Sequence, residues 1–191
     1  MSLSMILQCT GLTVTGTFLE TKFASKDTSS AGNLSPLFAL TPAVLIATGF
    51  WMTSYGFTVG AARKKAIEQA KEDGEKDVSE RYDFPNLYAQ GTSKNAKDFN
   101  CVQRSHQHML ETYTQVVLTG VMGAVSYPIS TAASSLLYFA GRYVWAKGYA
   151  TGEPKDRYQN PLAKYMWYGL LINHMLGMIS CVTFVVGKKL I

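Results

Sequence analysis

The stretch Phe99-Asn100-Cys101-Val102-Gln103-Arg104-Ser105-His106-Gln107-His108-Met109-Leu110-Glu111 decides how the chain is read. It sets an arginine, two histidines and a glutamate ahead of a run, Thr112 to Gly141, that carries no charge. On a soluble helix these side chains would form an ordinary solvated face. At the mouth of a membrane helix they are costly, because an ionisable side chain at the centre of such a helix costs about 2.5–3.5 kcal/mol on insertion scales. Arg104, His108 and Glu111 are therefore the first candidates for function. The sequence around them decides whether the segment is a membrane helix.

Composition favours a membrane. Hydrophobic residues make up 47% of the 191 residues and charged residues 16%, against roughly 25% charged in a soluble domain. The charge is also unevenly spread. Residues 63–98 hold eight Lys/Arg and eight Asp/Glu, so this polar loop is neutral overall and offers no clustered basic face of the kind nucleic acid requires. Cys9, Cys101 and Cys181 are odd in number and far apart, which predicts neither a disulfide framework nor a zinc site. Cys101, beside the polar motif, reads either as a small buried residue or as a reactive thiol.

Four spans are predicted. Phe38 to Ala62 lies in a tract without charge from Thr28 onward and ends at Arg63-Lys64-Lys65; about 20 apolar residues suffice to cross. Pro42 lies near its start, where a missing N–H does no harm, and Gly49, Gly56 and Gly60 suit close helix packing. The second span covers Asn100 to Ser126 and the third Ile129 to Tyr149, separated by Tyr127-Pro128. After the polar connector Thr151–Arg157, the fourth runs from Tyr165 to Val186 and contains His174, read as a packing residue. Within the loop, Ala66 to Glu80 reads as a helix extension or solvated segment, and Tyr82–Tyr88 as an aromatic turn suited to the headgroup level. Residues 1–36 form an N-terminal extension ahead of the 37–187 membrane domain. They lack a basic n-region and a convincing cleavage site, and leave an interfacial helix or an unstructured arm open, with Lys26 to Pro36 as a linker.

The first and third connections carry twelve Lys/Arg: eight in 63–98, with Lys147, Lys155, Arg157 and Lys164. Only Lys22, Lys26, Lys188 and Lys189 fall on the other side. The positive-inside rule places the two connections in the cytosol, and the Arg104 motif at the cytosolic end of its helix.

Helical spacing then sorts the motif into faces. Asn100, Arg104, His108, Glu111 and Gln115 follow a 4-4-3-4 spacing and form one stripe. His106 is turned from Arg104 by about 200° and points toward a neighbouring helix or subunit. On the third span Tyr138, Arg142, Trp145 and Tyr149 follow a 4-3-4 spacing. The two stripes predict a polar pocket that suits a small zwitterion, with arginine forks for carboxylates and glutamate for an ammonium. Nearby arginine would also favour the thiolate of a thiol ligand. The alternative is that Arg104 and Glu111 simply pair to hold the bundle. His106 and His108 stand at i and i+2, on opposite sides of a helix. Zinc ligation from a helix uses i and i+4, so no metal is predicted.

The motif Phe99–Gln107 followed by Glu111 resembles the signature of the MAPEG family, most nearly its type-three microsomal glutathione transferases. Ala62-Arg63-Lys64-Lys65, Gly141-Arg142 ahead of Gly148-Tyr149, and Thr151-Gly152-Glu153-Pro154 followed by Arg157 agree with it. The resemblance covers about Phe38 to Val186. Ala66–Glu80 looks like an insertion. The resemblance implies an all-α integral membrane protein, a four-transmembrane-helix bundle assembling as a homotrimer. Glutathione would be co-substrate, bound at subunit interfaces near the cytosolic face, with the lipophilic electrophile or lipid hydroperoxide approaching from membrane lipid. By motif position Arg104, His108, Glu111, Arg142, Trp145, Tyr149 and Asn100 resemble glutathione contacts, and Arg157 the arginine that stabilises the thiolate. Arg63 or Lys64, with His106, resembles a contribution from the neighbouring subunit. Two positions depart from the pattern: His108 stands where the family usually has Asn, and Trp145 where relatives near the leukotriene synthase branch have Tyr. The implied activity is glutathione transfer, with peroxidase activity toward lipid hydroperoxides. The implied location is the endoplasmic reticulum, with an organelle envelope as the alternative. A different class, a non-catalytic protein that presents fatty acid to a partner enzyme, also occurs in the family. A proton path along the Arg104–Glu111 stripe is disfavoured because the rest of the second span offers no polar continuation.

Overall fold

A computed structural model describes residues 3–23 and 34–186, and all regular structure among them is helical. The long helices are α1 (Leu3–Phe23), α2 (Leu40–Glu72), α4 (Lys94–Ser126), α5 (Pro128–Tyr149) and α6 (Tyr165–Val186); α3 (Val78–Tyr82) is short, and 3-10 turns occupy Pro36–Ala39, Pro154–Tyr158 and Pro161–Lys164. The four stretches expected as spans fall mainly on α2, α4, α5 and α6, with Phe38 and Ala39 in the 3-10 turn ahead of α2. α2 continues ten residues past Ala62 because Ala61–Glu72 is built of helix formers; it stops before Gly74, whose φ of +69° suits a residue without Cβ. Ser93 accepts the Ala96 N–H and caps the start of α4. Over residues 1–36 the structure supplies a helix, α1. Of the linker expected over Lys26 to Pro36, residues 26–33 lie outside the described residues, as do Lys188 and Lys189. Among the described residues, two stretches, Pro36–Glu72 and Pro161–Val186, are long and apolar enough to cross a membrane.

The chain divides into two compact units, to each of which α2, α4 and α5 contribute a segment. The first comprises Met1–Gly49, Thr112–Gly141 and Lys164–Ile191. Its core includes Cys9, Tyr127, Ile172 and Leu176. α1 is fixed by polar contacts at both ends: Tyr168 Oη donates to Gln8 (2.8 Å), and Glu20 accepts the amides of Ile129 (2.8 Å) and Ser130 (2.9 Å). Those amides are orphan donors at the start of α5, where a carboxylate is favoured. α5 and α6 touch through small and polar residues. Buried Asn173 accepts from Ser134 Oγ (2.9 Å) and donates to Ser135 Oγ (3.3 Å). A Cβ on Gly169 would lie 2.6 Å from the Ser134 carbonyl oxygen. Gly49 and Gly56 likewise face Tyr113 and His106, whereas Gly60 has open space. Gly169→Ala should therefore force α6 away from α5 and cost about 1–3 kcal/mol as overpacking, read as a lower midpoint of thermal unfolding in detergent.

The second unit comprises Phe50–Glu111 and Arg142–Ala163. Its core is built by Val59, Ala66, Ala70, Val78, Tyr82, Ala89, Ala96 and Phe99, so the charged loop folds back onto α2 and α4. Arg63 is buried and donates to the carbonyls of Tyr82 (2.5 Å) and Leu87 (3.1 Å), with its guanidinium 4.6 Å from both the Phe84 and Phe99 rings. Asn100 gives its amide to the backbone of Ala89, accepting at 2.8 Å and donating at 2.9 Å. Glu75 is a hub for Arg81 (2.8 Å), Asn95 (3.0 Å) and Tyr82 Oη (3.1 Å).

Burial alone would raise the Glu75 carboxyl. The hydrogen bonds from Asn95, Ser93, Tyr82 and Arg81 outweigh it and leave the group below the ordinary glutamate range. A depressed folded value contributes stability that is complete above the unfolded pKa and lost as pH falls through the folded one. The loop should therefore loosen as pH drops below the usual glutamate value. Limited proteolysis across residues 73–95 as a function of pH checks this, and Glu75→Gln should flatten the profile.

Candidate functional site

Within the second unit, one turn after another of α4 presents Arg104, His108 and Glu111. Arg104 Nη1 and Glu111 Oε1 are 2.6 Å apart, and both side chains are more than a third exposed. An exposed pair of this kind contributes about 0–1 kcal/mol, so a ligand can replace it at small cost. Cation and anion are held within reach of each other, which is what a zwitterion needs.

Beside this pair lies a cluster built on two buried residues, Arg142 and Trp145. Arg142 on α5 is fully buried, and its Nη1 is 2.7 Å from His108 Nδ1. A guanidinium only donates, so Nδ1 accepts and the ring proton sits on Nε2. The His108 ring stacks on Trp145 (centroids 4.8 Å), Trp145 on Tyr149 (5.0 Å), and the Arg142 guanidinium lies 5.0 Å from the Trp145 ring centre. Trp145 is 3% exposed, and its buried Nε1–H has no hydrogen-bond partner among the described residues. An unmatched buried donor costs about 1–3 kcal/mol, a cost that an acceptor brought to the indole N–H would remove.

Arg157 joins the same group. Its guanidinium lies 5.4 Å from the Tyr149 ring and 5.3 Å from Tyr158, and its Nη1 donates to the Pro154 carbonyl at 2.7 Å. Gly148 makes this placement possible: a Cβ there would meet the Asp156 carbonyl oxygen at 2.5 Å and Arg157 Cα at 3.0 Å. The Pro154–Tyr158 turn can therefore lie directly against α5. Lys97 and Glu153, 2.5 Å apart, tie the same connection to α4. Cys101 is buried there, with its Sγ 3.4 Å from the Gly152 carbonyl oxygen.

The structure thus brings together Arg104 with Glu111, and His108 with Arg142, Trp145, Tyr149 and Arg157. Four other sequence candidates are placed differently. Asn100 is engaged with Ala89 and Arg63 with the Tyr82–Leu87 backbone. His106 packs on Tyr55 (6.1 Å between rings) and beside Gly56 of its own α2, and Lys64 is exposed. Sequence reasoning missed Tyr88, which donates to Gln107 and lies beside Arg104; periodicity along α4 cannot report a side chain arriving from a folded loop. Among the described residues, no group of three or more His, Cys, Asp or Glu side chains could hold a metal ion.

These geometries fall on helices matched by a family model. The model is described as the MAPEG family and covers residues 41–179. The chain belongs to the MAPEG family. The family is membrane-associated and includes glutathione transferases and peroxidases together with non-catalytic members. Every residue of the clustered site lies inside the match, and α1 lies before it.

The tautomer of His108 gives the ring both functions of an asparagine side chain: Nδ1 accepts from Arg142 and Nε2 carries an N–H donor. His108→Asn preserves both functions and should change the thermal midpoint little. His108→Leu removes the acceptor from a buried guanidinium and should cost about 1–3 kcal/mol. Equal destabilisation by the two variants would show that ring packing, and not the hydrogen bond, matters at this position.

Proposed function

We propose that the protein conjugates glutathione to lipophilic electrophiles and reduces lipid hydroperoxides with glutathione. The observation that carries this reading is the cluster of buried Arg142 and Trp145 with half-buried His108, Tyr149 and Arg157, beside the exposed Arg104–Glu111 pair. It combines donors for carboxylates and amides, an acceptor for an ammonium, and a cation at a position suited to a thiolate. In the proposed complex the Arg104–Glu111 pair opens, Arg104 taking a glutathione carboxylate and Glu111 the amine. Arg142 and the N–H groups of His108 and Trp145 hold peptide or carboxylate oxygens, with Tyr149 beside them. Lys64, which is exposed, is better suited than Arg63 to reach a ligand held by an adjacent chain.

Arg157 stabilises the thiolate as the thiol proton leaves to solvent. The thiolate attacks an electrophilic carbon, forming a thioether as the leaving group departs or the addition product is protonated. With a hydroperoxide it attacks the terminal oxygen, giving an alcohol and a sulfenic acid, which a second glutathione converts to the disulfide and water. In this reading α2, α4, α5 and α6 cross the membrane, three chains assemble, and the two basic connections face the cytosol of the endoplasmic reticulum. The charge distribution supports that orientation.

Glutathione added to the detergent-solubilised protein should stabilise it by about 2.7 kcal/mol at a hundredfold excess over Kd, seen as a raised thermal midpoint, and should generate the ultraviolet thiolate band. Arg157→Ala should keep the thermal shift and lose the band; Arg104→Ala should lose the shift. Turnover is measured with an aryl halide and with a lipid hydroperoxide. No shift, band or turnover would overturn the reading in favour of a lipid-presenting member of the family.

A further inference from the structure

A second cavity lies in the first unit, among α1, α5 and α6, and takes no part in the site above. It is a groove of about 570 Å³, within the roughly 300–1,000 Å³ range of small-molecule sites. Leu12, Leu19, Ile129, Leu137, Ile172 and Leu176 form most of its wall. Small residues create it. Gly16 lets α1 approach α5 closely, since a Cβ there would meet Ser130 Oγ at 3.2 Å, and Ala133 leaves the space alongside. Four polar residues also line it, Thr13, Glu20, Ser130 and Ser134; the Thr13 and Ser134 hydroxyls are already engaged, donating to the Cys9 carbonyl and to Asn173.

Glu20 sets the chemistry. The residue is only 8% exposed, and each carboxylate oxygen accepts one backbone amide, at 2.8 and 2.9 Å. A carboxylate oxygen can accept more than one hydrogen bond, and an ionised carboxylate donates none. The groove therefore offers an apolar wall and an acceptor-rich, negatively charged spot. An acidic head group would meet like charge there, and a head group without donors would leave the remaining acceptor capacity unused. A hydroxyl or an ammonium would satisfy it.

We propose that this groove binds a single-chain amphiphile with a hydrogen-bond-donating head group, a long-chain alcohol or amine. The chain lies along the leucine and isoleucine wall and the head group against Glu20 and Ser130. α1, which lines one side of the groove, lies before the family match, and the α5 and α6 residues opposite lie within it. The site is independent of the glutathione reading.

Native mass spectrometry of the full-length protein, released from detergent with hexadecanol, hexadecylamine or hexadecanoate, tests this. One alcohol or amine per chain is expected, with the acid about tenfold weaker or more, as like charges demand. Preference for the amine over the alcohol would identify charge pairing with Glu20; equal binding would identify hydrogen bonding alone. Glu20→Gln should abolish any preference for the amine. Since that change also touches the docking of α1, Ala133→Phe serves as the second variant. It fills the groove without touching the Glu20 hydrogen bonds, and should remove the adduct while leaving helicity and any glutathione-induced thermal shift unchanged. Binding of hexadecanoate as tight as that of the alcohol and amine, no adduct with any of the three, or an adduct that survives Ala133→Phe would each overturn the proposal.

Discussion

The second unit depends on how one buried charge is accommodated. Arg142 has no solvent-exposed surface, and removing a guanidinium from water costs several kcal/mol unless its surroundings compensate. Two of those compensations are visible: the Nδ1 of His108 and the face of Trp145. Each then constrains the next residue. His108 is held in one tautomer, Trp145 is stacked between His108 and Tyr149, and Tyr149 offers its ring to Arg157. A single desolvated cation thus fixes the side chains of two helices and one connection. An arrangement held in this way is preorganised, which is the property that electrostatic stabilisation of a developing charge requires.

The same economy explains the polar segment between α2 and α4. Arg63 is buried like Arg142, and carbonyl oxygens of Tyr82 and Leu87 with two aromatic rings compensate it. Glu75 is satisfied by Arg81 and Tyr82 of the same segment and by Asn95 in the first turn of α4. A stretch with balanced charge can therefore form a folded cap with its own small core. In doing so it delivers Tyr88 to the Arg104 face of α4.

Much of this was legible in the sequence, for definite physical reasons. The helix positions followed from long uncharged tracts broken by Gly, Pro and charge. The 4-4-3-4 and 4-3-4 spacings put His108 on one stripe and Arg142, Trp145 and Tyr149 on another, and the structure joins them. Periodicity within one helix gives direction but not partner. That is why Asn100, on the correct stripe, binds Ala89, and why His106, on the opposite face, meets α2 of its own chain. Arg63 illustrates a different limit: a basic residue at a helix end reads as exposed unless the carbonyls that receive it can be foreseen. The folding of residues 73–93 depends on contacts between side chains and loop backbone that no periodic pattern records. α1 was open for a similar reason, since its threonines and glycines dilute the apolar signal while its anchoring carboxylate acts on a helix far away in sequence.

That carboxylate has a consequence for the boundaries of the domain. α5 begins Tyr127-Pro128-Ile129, without the serine, threonine, aspartate or asparagine that ordinarily caps a helix locally. Glu20 performs the task from 109 residues upstream. A version trimmed to residues 41–179 would keep α5 but leave these two amides at its head without their carboxylate.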